Sequence, residues 1–154
     1  MQIGEIIPDT LGVDAEGRMV TASDDYPNTP LIVYFYPKDN TPGCTAEACS
    51  IRDGFAELRD RGYVVIGISR DSSESHKRFA AKHELPFTLL TDSTGEICET
   101  FGVWQKKKMC GREYMGIVRT TFITDANHKL THIIGKVNTK DAANQILNVI
   151  DGIQ

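Results

Sequence analysis

An apolar run followed by a short proline-containing loop and a helix start constrains the fold of this chain most strongly. Residues 31–36 read LIVYFY and are bounded by prolines, which predicts a buried strand. Thr41 is a good helix N-cap, and Pro42 suits the first helical position, where a missing N–H costs nothing. Apolar residues then recur with helical spacing, so the helix is expected to run to about Arg61, with Gly62 as its C-cap. The sequence therefore predicts a strand, a tight loop and a helix in direct succession.

Cys44 falls in the first turn of that predicted helix. The N–H groups of Gly43 and Cys44 have no partner within the helix there, and the positive end of the helix dipole favours an anion. A cysteine in this position is expected to carry a large thiolate fraction at neutral pH, as a nucleophile does. The alternative is a small buried packing residue, the commonest fate of a free cysteine. The position of Cys44 beside Gly43, at a helix start after a loop, favours the nucleophile.

Of three neighbours of Cys44, two have more than one interpretation. Thr41 can be only an N-cap, or its hydroxyl can also hydrogen-bond the sulfur or an incoming oxygen. Glu47 is most simply a first-turn acid that complements the helix dipole. Cys49, five residues after Cys44, is either inert core or a partner that resolves an oxidised sulfur as a disulfide. The sequence alone leaves both readings of Cys49 open.

The rest of the chain predicts one α/β domain covering residues 1–154. A βαβ succession, then a β-hairpin and a closing helix, indicates a thioredoxin-like fold: a central mixed β-sheet flanked by helices, with an N-terminal β-hairpin. The remaining predicted elements are a hairpin at 11–13 and 18–21, a strand at 63–69, a helix from 72 or 73 to about 83, a strand at 87–90, a helix at 92–101, a loop at 103–115, a hairpin at 118–124 and 130–134, and a final helix from 138 or 139.

Charge and composition exclude several function classes. The 154 residues carry a formal net charge of −4, whereas nucleic-acid binding needs a basic face. No run of 18 apolar residues occurs, so no membrane span is expected, and the N-terminus shows no signal-peptide pattern. The cytoplasm is therefore the expected location. Four cysteines in a reducing compartment are expected to be catalytic, metal-binding or incidental rather than structural bridges.

The segment at residues 35–49, FYPKDNTPGCTAEAC, resembles the active site of the peroxiredoxins. The match is to their bacterioferritin comigratory protein (PrxQ) branch, which has two cysteines on one helix. Its P-x-x-x-T-x-x-C core is a specific signature of the family. The C-x₄-C spacing of the two cysteines narrows the resemblance further, to this branch. The resemblance continues in order through nearly the whole chain, at residues 65–69, 86–90, 101–104 and 116–123 and in the closing helix.

This resemblance implies a thiol-dependent peroxidase that reduces hydrogen peroxide and organic hydroperoxides. Cys44 corresponds to the peroxidatic cysteine, which becomes a sulfenic acid, and Cys49 to the resolving cysteine, which forms an intramolecular disulfide with it. Pro37 and Thr41 correspond to residues that shape the pocket, and Arg119 to the guanidinium that faces the sulfur. Thioredoxin or a glutaredoxin is the implied reductant. No metal or organic cofactor is required, and a monomer is the expected state.

Two other function classes are kept as alternatives. In a non-enzymatic thiol switch, oxidation of Cys44 would change a partner-binding surface. A thioredoxin-type disulfide oxidoreductase is the other, but that chemistry usually employs C-x-x-C, and the chain has no such motif. Arg119 likewise has a simpler interpretation as a surface strand residue in an ion pair.

The two remaining cysteines and the histidines carry weaker expectations. Cys98 is expected to be a packing residue inside a short helix. Cys110 follows three lysines in a predicted loop, where the basic run can favour its thiolate, so an additional reactive thiol is an open alternative. The four histidines are expected to be solvated and to form no zinc site, because their spacing is not that of metal ligands; they are His76, His83, His128 and His132.

Overall fold

A computed structural model describes residues 1–152, and their architecture is a seven-stranded mixed sheet flanked by helices. The strands are β1 Thr10–Val13, β2 Met19–Thr21, β3 Leu31–Phe35, β4 Val64–Ser69, β5 Thr88–Thr91, β6 Trp104–Met109, β7 Arg112–Ile117, β8 Thr120–Thr124 and β9 Leu130–Ile134. The sheet order is β2-β1-β5-β4-β3-β8-β9, while β6 and β7 form a separate hairpin. Strands β3, β4 and β5 are parallel, and the other neighbouring pairs are antiparallel.

Within residues 1–152, six helices pack around this sheet. They are α1 Ala22–Asp25, α2 Pro42–Asp53, α3 Phe55–Asp60, α4 Ser73–His83, α5 Glu96–Thr100 and α6 Ala142–Ile150, with a 3₁₀ turn at Thr139–Asp141 before α6. None of the helices in residues 1–152 is long and apolar enough to cross a membrane.

The strand β3 is buried on both faces, as its unbroken apolar run predicts. Leu31, Val33 and Phe35 contribute to one hydrophobic cluster, whereas Ile32 and Tyr34 contribute to a second. Cys44 belongs to the second cluster, together with the inward side of α2. β3 is therefore packed on both faces, and its carboxyl end leads into the loop that precedes Cys44.

The predicted mixed sheet, flanking helices and N-terminal hairpin are confirmed, but the helix predicted to run from residue 42 to Arg61 is wrong in one respect. It breaks at Gly54 into α2 and α3. A side chain at position 54 would place its Cβ 2.5 Å from the Cβ of Ala143, so the glycine allows α6 to approach closely. The helix predicted at 92–101 is also shorter than expected, because a loop replaces its first turn. The Asp92 carboxylate closes this loop by accepting hydrogen bonds from the N–H groups of Gly95, Ile97 and Cys98.

The loop predicted at 103–115 is wrong: this segment forms the hairpin of β6 and β7. Its side chains are largely exposed on both faces, so it lacks the alternation of apolar and polar residues that marks a half-buried strand. Cys110 and Gly111 make the two-residue turn, with φ of 53° and 78°. Both values lie in the left-handed region that the hairpin's type of turn requires.

Candidate active site

The loop between β3 and α2 is fixed by a buried hydrogen-bond network centred on Asp39. Tyr36 donates its hydroxyl to Asp39 Oδ1 at 2.6 Å, and Ser75 donates to Asp39 Oδ2 at 2.8 Å. His76 Nδ1 lies 2.8 Å from the same Oδ2 atom. The Asp39 N–H donates to Asp71 Oδ2 at 2.9 Å. Burial raises the pKa of Asp39, but the hydrogen bonds from His76, Tyr36 and Ser75 outweigh burial, so the carboxyl pKa is lowered overall.

One polar atom each from Asp39, Asp71 and His76 lies within 4.8 Å of the others, a spacing that a metal ion could bridge. These atoms are already satisfied by the protein, since Ser69 donates to Asp71 at 2.6 Å and His76 Nε2 faces the Leu90 carbonyl oxygen at 3.1 Å. We therefore interpret the cluster as a structural network that ties the loop to α4.

The expectation that all four histidines are solvated is wrong for two of them. His76 is buried in the network around Asp39, and His128 is buried with its Nε2 atom 2.8 Å from the Tyr26 carbonyl oxygen. Both nitrogens of His76 and the Nε2 atom of His128 have partners that lie far away in sequence, which spacing along the chain does not reveal.

The start of α2 follows the sequence prediction, with Thr41 as N-cap and Pro42 as first helical residue. The Thr41 side chain makes no capping bond to the helix; its hydroxyl donates to the Lys38 carbonyl at 2.8 Å. The first backbone hydrogen bond of the helix is the one that the Thr45 N–H donates to the Thr41 carbonyl, at 2.9 Å. The N–H groups of Gly43 and Cys44 therefore precede this first bond, at the positive end of the helix.

Arg119 reaches the sulfur of Cys44 from the neighbouring strand. It directly precedes β8, whose Thr120 pairs with Phe35 at the end of β3. The Arg119 Nη2 atom lies 3.4 Å from Cys44 Sγ, and Cys44 is only 2% exposed. A side chain at Gly43 would place its Cβ 3.2 Å from that same Nη2 atom. The glycine thus leaves room for the guanidinium beside the thiol.

Glu47 completes this cluster, and its predicted role as a first-turn acid is wrong. It lies one turn after Cys44 on the same face of α2, where it is fully buried and accepts a 2.7 Å hydrogen bond from Arg119 Nη1. Its Oε2 atom has no hydrogen-bond partner among the described residues. Burial raises the pKa of Glu47 to about 7, although the Arg119 charge and hydrogen bond oppose that rise. The three-residue spacing from Cys44 was the only sequence signal for this role.

The Tyr34 hydroxyl lies on the same buried side and also has no hydrogen-bond partner among the described residues. Burial raises the pKa of Tyr34 well above its ordinary value, and the nearby charges of Glu47 and Cys44 add to the rise. Cys44 therefore lies among buried groups, with Arg119 as the charged donor that contacts the sulfur.

Cys49 lies on a different side of α2 from Cys44. It is half-buried, and its Sγ atom is 3.7 Å from the Nδ1 atom of His83, at the end of α4. Both cysteines are free thiols on one continuous helix. Sequence analysis did not connect His83 with Cys49, because the two residues are 34 positions apart and belong to different helices.

The other two cysteines lie apart from this cluster. Cys98 is fully buried, as predicted for a packing residue, and burial together with the Asp92 carboxylate raises its thiol pKa strongly. Cys110 is exposed at the tip of the β6–β7 hairpin. Lys106 and Lys108 both pair with Glu113 across this hairpin, at 3.4 and 3.7 Å, so part of the basic run is neutralised.

Pro37 lies half-buried just beyond β3, on the wall of a groove of about 350 Å³. The lining also includes Trp104, Tyr114, Met115 and Ile117 from the β6–β7 hairpin, and Lys38, Arg70 and Lys107. The groove is therefore mainly apolar, with three cationic side chains among its lining residues. The structure thus brings Cys44, Glu47 and Arg119 into contact, puts Thr41 and Pro37 in the loop that leads to them, and leaves Cys49 beside His83.

The chain matches proteins whose names describe peroxide chemistry. The AhpC/TSA family model matches residues 3–133. The chain is 43% identical over 150 residues to Peroxiredoxin Bcp of Bacillus subtilis, which covers 97% of this chain and 95% of that protein.

Solved structures of the same group have the same fold. A cysteine mutant of PrxQ from Xylella fastidiosa superposes with a TM-score of 0.86 at 33% identity, over 99% of this chain and 96% of that one. The bacterioferritin comigratory protein of Xanthomonas campestris, which has alkyl peroxide reduction activity, gives a TM-score of 0.84 at 28% identity, over 96% and 98% of the two chains. The chain therefore belongs to the AhpC/TSA family and, within it, to the Bcp/PrxQ peroxiredoxins, which are thiol-dependent peroxidases.

Proposed function

We propose that Cys44 is the thiol that attacks peroxide, and that Arg119, Thr41 and Pro37 form its pocket. The observation that carries this proposal is the 3.4 Å contact between Arg119 Nη2 and Cys44 Sγ in the first turn of α2. A guanidinium at this distance favours the thiolate over the thiol, and the burial of Cys44 strengthens the attraction. Arg119 also has further donors that can hold the peroxide oxygens.

The proposed first step is a displacement at oxygen. The Cys44 thiolate attacks one peroxide oxygen, an S–O bond forms, and the O–O bond breaks. The leaving oxygen takes up a proton and departs as water or an alcohol, and Cys44 is left as a sulfenic acid. Negative charge grows on the leaving oxygen, so donors that are already in place stabilise the transition state without reorganising.

We propose that Cys49 then resolves the sulfenic acid. Its sulfur bonds to the Cys44 sulfur while the oxygen departs as water. Residues five apart on a helix have Cα atoms roughly 8–9 Å apart and side chains about 140° apart. A disulfide needs Cα atoms within about 7 Å, so the first turn of α2 has to unwind before the two sulfurs meet. That turn has the fewest internal hydrogen bonds and Gly43 within it, which favours unwinding there.

A dithiol protein such as thioredoxin or a glutaredoxin then reduces the disulfide by exchange and restores both thiols. No step in this cycle calls for a metal or an organic cofactor. The monomeric state stays a prediction from the resemblance, and light scattering tests it. The cytoplasmic location stays a prediction from the lack of a signal-peptide pattern.

We further propose that the substrates include hydrogen peroxide and organic hydroperoxides. The apolar groove beside Pro37 supports the second class, because its volume of about 350 Å³ accommodates an organic tail. The alkyl peroxide reduction activity of the Xanthomonas campestris protein supports it further.

Peroxide consumption in the presence of a thioredoxin system tests the proposal. The wild-type protein and the Cys110→Ser variant should consume peroxide at equal rates, because Cys110 is exposed at the tip of the β6–β7 hairpin and does not line the groove beside Pro37. Cys44→Ser should be inactive, since an alcohol at neutral pH is a far weaker nucleophile than a thiolate. Turnover by Cys44→Ser would overturn the assignment.

A further inference from the structure

His83 contacts the sulfur of Cys49 and is held in place by its surroundings. The Nδ1 atom of His83 lies 3.7 Å from Cys49 Sγ, within hydrogen-bond range for sulfur. The His83 ring packs edge-on against Phe79 at 5.1 Å between centroids. Arg52, on the same helix as Cys49, donates to the His83 carbonyl at 2.8 Å. The ring is therefore oriented toward the sulfur by contacts that involve both α2 and α4.

The resolving step needs the thiolate of Cys49, because a thiol is a poor nucleophile. Imidazole is the side chain best suited to accept a proton near neutral pH, and the candidate base must lie within reach of the proton it takes. We propose that His83 is the proton acceptor for Cys49 when Cys49 attacks the oxidised Cys44. This inference rests on the proposed role of Cys49 as the resolving thiol.

The step balances without any further reactant. The Cys49 thiol gives its proton to His83 Nδ1, and its sulfur forms a bond to the Cys44 sulfur. The S–O bond of the Cys44 sulfenic acid breaks, and the oxygen leaves as hydroxide. The imidazolium returns the proton to that hydroxide, directly or through solvent, and the products are a disulfide and water.

The charged groups around His83 fit a proton acceptor. His83 is the last residue of α4, where the negative end of the helix dipole stabilises an imidazolium once it forms. Glu84 follows it at the C-cap and adds negative charge, whereas Arg52 on α2 favours the thiolate. The pKa of Arg52 is raised mainly by its hydrogen bond to Asp53, against burial, with smaller contributions from Cys49 and Glu84.

The Cys49–His83 contact is also compatible with the proposed unwinding of α2. Cys49 lies well beyond the first turn of this helix, which extends to Asp53. Unwinding that begins in the first turn moves Cys44 first, and Cys49 stays beside His83 until the disulfide forms. The base therefore stays with its thiol while the electrophile moves toward both of them.

Single-turnover kinetics test this proposal. Reduced protein is mixed with one equivalent of hydrogen peroxide and quenched with an alkylating reagent, and the sulfenic acid and disulfide are counted by mass spectrometry over time. The variant is His83→Gln, and the matched control is His132→Gln, which changes a half-buried histidine on β9. His83→Gln should form the sulfenic acid at the wild-type rate but form the disulfide roughly 100-fold more slowly at neutral pH. His132→Gln should match the wild type in both steps.

The pH profile separates a base from a packing residue. The wild-type rate of disulfide formation should rise with pH and then level off, because a neutral imidazole takes the proton from Cys49. The His83→Gln rate should keep rising beyond the pH at which the wild-type rate levels off, as the thiol itself ionises. A wild-type rate that also keeps rising overturns the proposal, even if His83→Gln does not fold. Equal disulfide rates in His83→Gln and wild type overturn it as well.

A separate variant distinguishes this failure from failure of the proposed function. If Cys49→Ser still forms an intramolecular disulfide, Cys49 is not the resolving thiol and the proposed cycle is wrong. If Cys49→Ser stops at the sulfenic acid while His83→Gln resolves normally, the cycle stands and only the role of His83 is wrong.

Discussion

The Nη2 atom of Arg119 lies 3.4 Å from the Sγ atom of Cys44, although the two residues are 75 positions apart in the chain. Strand pairing makes this contact, because Arg119 directly precedes the strand that pairs antiparallel with the one leading to Cys44. The other guanidinium nitrogen, Nη1, is held by Glu47 at 2.7 Å. The guanidinium is thus fixed on one side and presents its other side to the sulfur.

Replacing Arg119 should slow the reaction with peroxide and leave the fold intact. Arg119→Met removes the positive charge and the donors, so the second-order rate constant for Cys44 oxidation should fall roughly 100- to 1000-fold. Arg119→Lys keeps the charge but loses the planar fork of donors. Its rate constant should therefore lie between those of the wild type and Arg119→Met. Stopped-flow oxidation of the reduced proteins measures these rates. Arg112→Met, on the exposed hairpin strand, is the matched control, and equal rates for Arg119→Met and this control would contradict the account.

Thr41 should act on the incoming peroxide rather than on the thiol alone. Its hydroxyl gives its proton to the Lys38 carbonyl, so the oxygen lone pairs are left to accept a hydrogen bond from a peroxide O–H. Thr41→Val should lower the peroxide rate constant by roughly 10- to 100-fold, and Thr41→Ser should restore most of it. Alkylation of Cys44 by iodoacetamide should be nearly unchanged in Thr41→Val. If alkylation slows as much as peroxide reduction, Thr41 serves the thiolate instead.

Glu47 should make the reduced protein less stable at alkaline pH than at acidic pH. Its pKa is raised by burial to about 7 in the folded protein, from an ordinary value of 4.5, so the folded state holds a proton that the unfolded state has lost. Its contribution to stability is fully present below the unfolded pKa and is lost as pH rises through about 7. One pKa unit is worth about 1.4 kcal/mol, so the loss is on the order of 3 kcal/mol at most.

Urea unfolding at pH 5 and pH 8 measures this loss, with Cys44→Ser as the common background so that the thiol does not titrate. Glu47→Gln in that background should lose less stability between the two pH values than the parent does, because the amide does not ionise and still accepts from Arg119. A pH dependence identical to that of the parent would mean that Glu47 is ionised in both states at these pH values.

The strand, loop and helix start around Cys44 could be predicted from sequence because their signals are local. The apolar run of β3, the N-cap Thr41 and the first-position Pro42 lie within a dozen residues of one another. The resemblance then identified Cys49 and Arg119 as candidates.

The partners of Glu47 and Cys49 could not be predicted, because each lies on a distant part of the chain. Arg119 is 72 residues from Glu47, and His83 is 34 residues from Cys49. From sequence alone, Glu47 is therefore expected to be a first-turn acid and His83 to be solvated. The β6–β7 hairpin was missed for a different reason: exposed on both faces, it shows no apolar alternation.

Formation of the disulfide should loosen the start of α2. Hydrogen exchange on the reduced and the peroxide-oxidised protein should show lower protection of residues 40–52 in the oxidised form, because Cys44 and Cys49 cannot bond on an intact helix. Residues of β8, buried within the sheet, should exchange equally in both forms and serve as the internal control. Equal protection of residues 40–52 in the two forms would contradict the proposed unwinding.

The central claim is that Cys44 is oxidised by peroxide and that Cys49 resolves it, and mass-spectrometric mapping after one equivalent of peroxide tests this claim most directly. The account predicts a Cys44–Cys49 disulfide in the wild type. It predicts one added oxygen at Cys44, and no intramolecular disulfide, in Cys49→Ser. A disulfide from Cys44 to Cys98 or Cys110, or oxidation that begins at another cysteine, would contradict it.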